Sequence, residues 1–229
     1  MTAEEFLQGK VLLIDKPLEW TSFQAVNKIR WHIKKQFGFK KIKVGHAGTL
    51  DPLATGLLII CTGKMTKQIN EFQAQEKEYT GTFHLGPTTP SYDLETEVNE
   101  EFPTDHITSE SIESVTQSFL GEIDQKPPIF SAIKKDGKRL YDIARKGETT
   151  EIQSRKVTIS AFDITRIEMP EVDFRVSCSK GTYIRSLAND FGIALDSGAH
   201  LSALRRTRIG EFSVENALSI DAFIDSLKA

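Results

Sequence analysis

The segment from Gly45 to Gly56, which reads GHAGTLDPLATG, constrains the fold more than any other stretch of this 229-residue chain. It places one carboxylate, Asp51, and one imidazole, His46, between glycines, directly before an apolar run. Pro52 fixes its own φ and disfavours helical geometry at Asp51, whereas glycine permits backbone conformations that a Cβ forbids. The segment predicts a tight turn that holds Asp51 at the start of a buried strand. For a lone Asp-Pro pair, a simple Asx turn is the competing interpretation.

Hydrophobic periodicity and breaker residues predict a mixed α+β chain. Thr21 with Gln24 forms a capping box for a helix that ends at Gly38 and buries Val26, Ile29, Ile33 and Phe37. The segment from Asp93 to Thr108 is predicted to be irregular, and the basic segment 125–151 to be a mobile excursion that grips RNA. Other strands are predicted at Lys10 to Ile14, Leu57 to Cys61, Lys77 to Leu85, Lys156 to Ile167 and Val172 to Ser179, and other helices at Ser109 to Leu120, Arg139 to Arg145, Tyr183 to Leu195 and Asp221 to Leu227.

The charge distribution points to a polyanionic partner, although the formal net charge is -3. Eleven acids and no Lys or Arg lie between Glu78 and Gln125. Between Glu19 and Asp51 there is no acid, but there are seven basic residues: Lys28, Arg30, Lys34, Lys35, Lys40, Lys41 and Lys43. A basic field next to the turn is what a phosphate backbone requires, and a solvated helix face is the alternative. Two more basic clusters, Lys134 to Lys146 and Arg205, Arg206 and Arg208, favour RNA.

Several classes of protein are disfavoured by the sequence. Cys61 and Cys178 lie far apart in apolar segments, which favours buried thiols over a disulfide or a metal pair. The five histidines show no metal-ligand spacing. There is no apolar run of about 18 residues and no signal pattern at the N-terminus. We therefore expect a cytoplasmic protein that is not bound to a membrane and that uses no metal or cofactor.

Six segments, taken in order, carry a resemblance that none of them would carry alone. They are Leu12 to Pro17, Gly45 to Gly56, Lys77 to Tyr79, Ser131 to Lys134 with Gly137 and Leu140-Tyr141, Cys178 to Arg185, and Gly198 to Leu201 followed by Leu204 to Arg206. Together they resemble the TruB family, the bacterial tRNA pseudouridine synthases that isomerise uridine 55 in the T loop. The resemblance spans nearly the whole chain.

The resemblance implies a pseudouridine synthase fold, with a mixed, largely antiparallel central sheet flanked by helices and loops. It implies an isomerase, a tRNA pseudouridine(55) synthase, whose catalytic domain occupies residues 1–229. The C-terminal PUA domain that members of the family commonly carry is not expected in this sequence, so recognition should rest on the T stem-loop of tRNA. A monomer that needs no protein partner is expected.

The same resemblance assigns roles to individual residues. Asp51 is the expected nucleophile or base near C1' of the ribose. Tyr79 is expected to stack on the flipped base, and Arg185 to pair with the catalytic aspartate and keep it ionised.

The expected substrate contacts are made by five further residues. His46 is expected either to fill the gap left in the T-loop stack or to contact a phosphate. Tyr183 and Leu204 are expected to wall the uracil pocket, Lys16 to support the site or meet RNA, and Asp93 to contact RNA.

Two other functions are compatible with the sequence. One is a non-catalytic module that binds or folds tRNA with the same fold, although intact Asp51, Tyr79 and Arg185 disfavour it. The other is a guide-dependent synthase that modifies rRNA, which the expected absence of a PUA domain disfavours.

Overall fold

In the computed structural model, which describes residues 1–131, 133–135, 137–148 and 150–228, the chain divides into two compact units. The first consists of Met1–Tyr79 and Leu204–Ala229, and the second of Thr80–Ala203. Ala132 of the fourth motif lies outside the described residues, as do the side chains of four residues of the predicted RNA-gripping segment, Lys134, Lys135, Lys138 and Arg139.

The first unit is built from both helices and strands. Its elements are α1 (Ala3–Gln8), β1 (Val11–Lys16), α2 (Ser22–Phe37), β2 (Val44–His46), β3 (Ala54–Thr62), a 3-10 helix (Gly63–Gln68), α3 (Ile69–Ala74), the start of β4 (Lys77–Leu85), the end of β12 (Ala199–Ile209), β13 (Phe212–Ser213), a 3-10 turn (Val214–Asn216), β14 (Leu218–Ser219) and α7 (Ile220–Ser226).

Helix α2 has the caps that the sequence predicts. The Thr21 hydroxyl accepts a hydrogen bond from the Gln24 amide at 3.1 Å, and Gln24 Oε1 accepts one from the Thr21 amide at 2.7 Å. Gly38 ends the helix in the left-handed region, with φ 67°. Ile29 and Ile33 are fully buried, so the predicted apolar face is confirmed.

Strand β3 is the centre of the first unit, where the strand order is β14-β1-β3-β12. It pairs antiparallel with β1 and β2 and parallel with the end of β12. Its side chains alternate between two apolar clusters, with Leu58 and Ile60 in one and Leu57, Ile59 and Cys61 in the other. Because both faces are buried, β3 is a rigid support for the turn that precedes it.

Over its described residues, the second unit combines strands with three helices. Its elements are the remainder of β4, β5 (Pro87–Thr88), β6 (Glu100–Glu101), α4 (Ser109–Ser118), β7 (Gly121–Gln125), β8 (Lys134–Lys135), β9 (Lys138–Arg139), α5 (Leu140–Ala144), β10 (Arg155–Glu168), β11 (Glu171–Cys178), α6 (Ile184–Ala194) and the start of β12.

Four strands of this unit follow the order β4-β11-β10-β7, and β10 pairs antiparallel with both neighbours. The core is aromatic, since Phe83 stacks on Phe174 with ring centroids 4.1 Å apart and also contacts Phe162 and Phe191. The predicted α+β class with mixed, largely antiparallel pairing is confirmed.

The structure corrects several predicted elements. The segment 125–151 contains the β8–β9 hairpin, which was not predicted, and α5, which confirms the helix predicted at Arg139 to Arg145. The mobility of this segment and its contact with RNA stay predictions. Within the predicted irregular segment 93–108, β6 pairs with β5. Strand β12 was not predicted at all. Both cysteines are buried thiols outside any disulfide, as expected. No described helix has the length and apolar character needed to cross a bilayer.

Candidate active site

The predicted turn around Asp51 is fixed to β3 at both ends. On its N-terminal side, His46 pairs with Ile60, and the Ala47 amide donates to the Ile59 carbonyl at 2.9 Å. On its C-terminal side, the Ala54 amide donates to the Asp51 carbonyl at 3.1 Å, and β3 begins at once. The sequence prediction of a tight turn leading into a buried strand is confirmed.

Lys16 supports this turn through a hydrogen bond to its backbone. Its side chain is fully buried, and its ammonium donates to the carbonyls of Pro17 at 2.8 Å, Trp20 at 2.6 Å and Pro52 at 3.4 Å. Burial lowers the pKa of Lys16 to about 8, and the nearby Asp51 carboxylate opposes that shift. Of its two predicted roles, this placement favours support of the site over contact with RNA.

The N-terminus of α2 also holds the turn. Ser22 is the first residue of the helix, and its hydroxyl accepts from the Leu50 amide at 2.8 Å and donates to the Leu50 carbonyl at 3.1 Å. The Glu19 amide donates to the Pro52 carbonyl at 2.9 Å. The residues on both sides of Asp51 are therefore bonded, Leu50 to the first residue of α2 and Pro52 to the segment that joins β1 to α2.

Arg206, which lies on β12, also contacts the turn. The side chain is buried, and its Nε donates to the Leu57 carbonyl at 2.8 Å while Nη2 donates to the Gly48 carbonyl at 3.1 Å. Its backbone pairs with Gly56, which has φ 104°. A Cβ on Gly56 would lie 2.3 Å from the Arg206 carbonyl oxygen, so this close approach of the strands requires glycine.

The predicted pocket residue Leu204 and the predicted stacking residue Tyr79 also belong to the first unit. Leu204 pairs in register with Ala54, three residues after Asp51, and its carbonyl accepts a 3.5 Å hydrogen bond from the Thr55 hydroxyl. Tyr79 lies in β4, where the alternating pattern buries its ring. Leu204 is therefore beside the Asp51 turn, while the stacking role of Tyr79 stays a prediction.

His46 is half-buried at the end of β2. Burial lowers the pKa of its imidazole, and the positive charge of Arg206 lowers this pKa further. A hydrogen bond with the Gly48 backbone acts in the other direction but does not cancel the shift. Burial and the nearby guanidinium therefore favour the neutral form of the ring. A neutral imidazole is suited to stacking against bases more than to ion pairing with a phosphate.

In the second unit, Arg185 is bound to the segment that contains Asp93. The guanidinium lies on α6, where it is buried, and its Nη1 donates to the Ser91 carbonyl at 3.2 Å. Its Nε lies 3.5 Å from Asp93 Oδ2, and Asp93 Oδ1 accepts from the Glu95 amide at 3.0 Å. Asp93 is buried as well, which favours a role in orienting Arg185. RNA contact by Asp93 and the pairing of Arg185 with Asp51 stay predictions.

Tyr183 precedes α6 and is held through its backbone. Its amide donates to Gln125 Oε1 at 2.8 Å, and its carbonyl accepts from Gln125 Nε2 at 3.0 Å. The Arg155 guanidinium lies over its ring, 4.6 Å from the centroid. The ring is thus fixed at one face by a cation, and its predicted place in the uracil pocket is not tested by these contacts.

Comparison with known proteins decides the family. The model of the TruB family pseudouridylate synthase N-terminal domain matches residues 34–184, and that of the tRNA pseudouridylate synthase B C-terminal domain matches residues 185–229. The chain belongs to the TruB family. Pseudouridylate synthases are isomerases, so the predicted enzyme class is confirmed, and the family descriptions support tRNA as the RNA on which this class acts.

Two relatives of this TruB chain are called tRNA pseudouridine synthase B. The protein from Flavobacterium johnsoniae is 66% identical over 229 residues, which is 100% of both chains. The protein from Phocaeicola vulgatus is 58% identical over 95% of this chain and 93% of its own length.

Two solved structures contain chains with the same fold as this TruB chain. The Cbf5-Nop10-Gar1 complex contains a chain that is 31% identical with a TM-score of 0.71, and an H/ACA RNP bound to a substrate RNA with 2'-deoxyuridine contains one that is 30% identical with a TM-score of 0.70. This chain is covered to 98% in both cases, but spans only 56% and 55% of the matched chains. The predicted pseudouridine synthase fold is confirmed.

Sequence reasoning missed several residues that hold the predicted residues within each unit of this TruB chain. In the first unit, Ser22 bonds to Leu50; in the second unit, Gln125 bonds to the Tyr183 backbone and Arg155 lies over the Tyr183 ring. The sequence groups Arg206 with Arg205 and Arg208 as a basic cluster for RNA, but the Arg206 side chain is buried. The sequence alone does not distinguish a buried arginine from one on the surface. Its neighbour Arg205, by contrast, is partly exposed and paired with Asp15 at 2.7 Å.

Proposed function

We propose that this chain converts uridine 55 in the T loop of tRNA to pseudouridine, with Asp51 acting at C1' of the target ribose. The observation that carries the proposal is the rigid presentation of Asp51 in a TruB chain. Lys16 on β1, Ser22 on α2 and Arg206 on β12 bond to the turn, and Asp51 itself is partly accessible. Preorganisation of a charged group is the chief means by which a protein accelerates such a reaction.

The reaction is an isomerisation and needs no external reactant. The C1'-N1 glycosidic bond breaks, the uracil turns within the site, and a C5-C1' bond forms while the proton lost from C5 is replaced by one at N1. A carboxylate beside C1' can support the change at that carbon, where positive charge develops as the bond breaks. Asp51 is proposed for this role, with Tyr79 and Arg185 as the other catalytic residues.

The target base must leave the T-loop stack before Asp51 can act on it, and extrusion of a base costs a few kcal/mol. A neutral His46 ring supports insertion into the gap, because an uncharged aromatic ring can replace a base-stacking partner. Tyr183 and Leu204 are proposed to enclose the freed uracil. We propose that the enzyme acts on tRNA as a monomer, without a guide RNA or protein partner.

The test is tritium release from tRNA transcript labelled with [5-³H]uridine. Wild type should release tritium, whereas Asp51→Asn should lower kcat by at least about a thousandfold, since the amide keeps the shape but loses the charge. A transcript in which the target uridine is replaced by cytidine is the matched substrate control and should give no site-specific release.

The outcomes separate the alternatives. Release by wild type from the unmodified transcript alone supports both the chemistry and the target. If wild type binds tRNA tightly but releases nothing, the non-catalytic binding module becomes the better function. If tritium release requires added guide RNA and partner proteins, a guide-dependent synthase becomes the better function. The 66% identity to a relative called tRNA pseudouridine synthase B favours the first outcome.

A further inference from the structure

Arg206 is a buried cation that the predicted chemistry does not use. It is among the largest fully buried side chains of the protein. Among the described residues, no carboxylate lies within ion-pair distance of its guanidinium, which instead donates to two backbone carbonyls. Burial of a guanidinium is costly, and an apolar side chain of similar volume would fill the same space at lower cost. The charge and the fork of donors therefore call for an explanation beyond packing.

The two carbonyls that Arg206 binds flank the proposed catalytic residue. Gly48 lies three residues before Asp51, and Leu57 lies six residues after it. The distances are 3.1 Å from Nη2 to the Gly48 oxygen and 2.8 Å from Nε to the Leu57 oxygen. One rigid, planar group thus joins the two ends of the turn.

The backbone of Arg206 adds a third restraint on the same turn. It pairs in parallel register with Gly56, and the ideal Cβ position of Gly56 is 2.3 Å from the Arg206 oxygen and 2.8 Å from its nitrogen. The end of β12 and the start of β3 can therefore approach closely only because residue 56 lacks a side chain. The positive charge of Arg206 also acts on neighbouring residues, because it lowers the pKa values of His46 and Lys16.

We propose that Arg206 is a positioning residue, which sets the conformation of the turn 48–57 and so the placement of Asp51 without touching the substrate. The proposal rests on the proposed function for its kinetic consequence, but its structural part stands independently. Misplacement of a reacting group by as little as about 1 Å can cost a hundredfold in rate. Loss of the fork should therefore lower kcat and leave the affinity for tRNA nearly unchanged.

The main variant is Arg206→Lys, which keeps the charge but offers one nitrogen in place of a fork. We expect kcat to fall at least about tenfold and the Kd for tRNA to change less than about threefold. Arg206→Gln loses the charge as well, and its kcat should fall further. The matched control is Arg175→Lys, because Arg175 is an exposed arginine that pairs with Asp163 at 3.0 Å in the second unit. Its kcat should stay within about twofold of wild type.

Hydrogen exchange measured by mass spectrometry tests the structural part without reference to activity. The amides of Leu50 and Ala54 are hydrogen-bonded within the turn and its supports. In Arg206→Lys, peptides that cover residues 48–57 should exchange at least about tenfold faster, while peptides of α2 and the second unit keep their wild-type protection.

Two results would overturn the proposal. One is an Arg206→Lys variant with near wild-type kcat and unchanged exchange in the turn. The other is exchange that rises throughout the first unit together with loss of tRNA affinity, which would make Arg206 a packing residue only. If wild type released no tritium, the proposed function would fail, and the exchange data alone would decide whether Arg206 holds the turn.

Discussion

Lys16 is the residue at which burial and charge oppose each other most clearly. Three carbonyls and the Asp51 carboxylate favour its charged form, while complete burial and the neighbouring Arg206 disfavour it. Burial dominates, since the pKa falls from the ordinary 10.5 to about 8. The Lys16 ammonium that supports the turn therefore begins to lose its proton at mildly alkaline pH.

The pKa of Lys16 predicts a pH dependence of stability. Between about pH 8 and 10.5 the unfolded chain holds the proton that the folded chain has lost, so the free energy of unfolding should rise with pH in this window. Lys16→Met has no such group, and the stability of wild type relative to this variant should increase from pH 7.5 to pH 10. Urea unfolding at several pH values measures this difference, in which other titrating groups cancel. A difference that stays constant or falls with pH would contradict the assignment.

At the scale of elements, the junction of β3 and β12 depends on Gly56. Ala at this position would have both an unfavourable φ of 104° and a Cβ in contact with the backbone of Arg206. Gly56→Ala should lower the free energy of unfolding by more than about 2 kcal/mol. Gly38 is the matched control, because it has φ 67° but no atom within 4 Å of an added Cβ, so Gly38→Ala should cost about 1 kcal/mol. Equal losses in urea unfolding of the two variants would show that strand approach at Gly56 is unimportant.

The elements also show where sequence reasoning succeeds and where it fails. Helix α2 could be predicted because its capping box, apolar face and terminal glycine are local signals. Strand β12 could not, since Arg205, Arg206 and Arg208 interrupt its apolar pattern and its register is set by β3, about 150 positions earlier. The turn around Asp51 was predictable from Pro and Gly, but its supports come from distant segments. The role of a residue such as Arg206 becomes visible only when those segments are brought together.

At the scale of the whole molecule, charge is distributed unevenly along the chain. The eleven acids between Glu78 and Gln125 lie in the second unit, except for Glu78 itself. The basic run that precedes the Asp51 turn lies entirely in the first unit, and Lys40, Lys41 and Lys43 are exposed. Lys43 is also fixed, because its carbonyl accepts from the Gly63 amide at 2.9 Å just before β2 begins. Although the net charge is -3, exposed lysines therefore precede the Asp51 turn in the first unit.

This arrangement predicts a salt-dependent affinity for tRNA, because each lysine that meets a phosphate releases a counterion. A plot of log K against log salt concentration should be steep, and the triple variant with Lys40, Lys41 and Lys43 each changed to Gln should reduce the magnitude of its slope by about 2, at about 0.7 to 0.9 for each contact. Lys156→Gln is the control, since Lys156 already pairs with Asp124 at 3.1 Å and should leave the slope unchanged. Filter binding between 50 and about 300 mM salt provides the measurement. A flat plot for wild type, or equal slopes for the triple variant and wild type, would mean that tRNA approaches Asp51 by another surface.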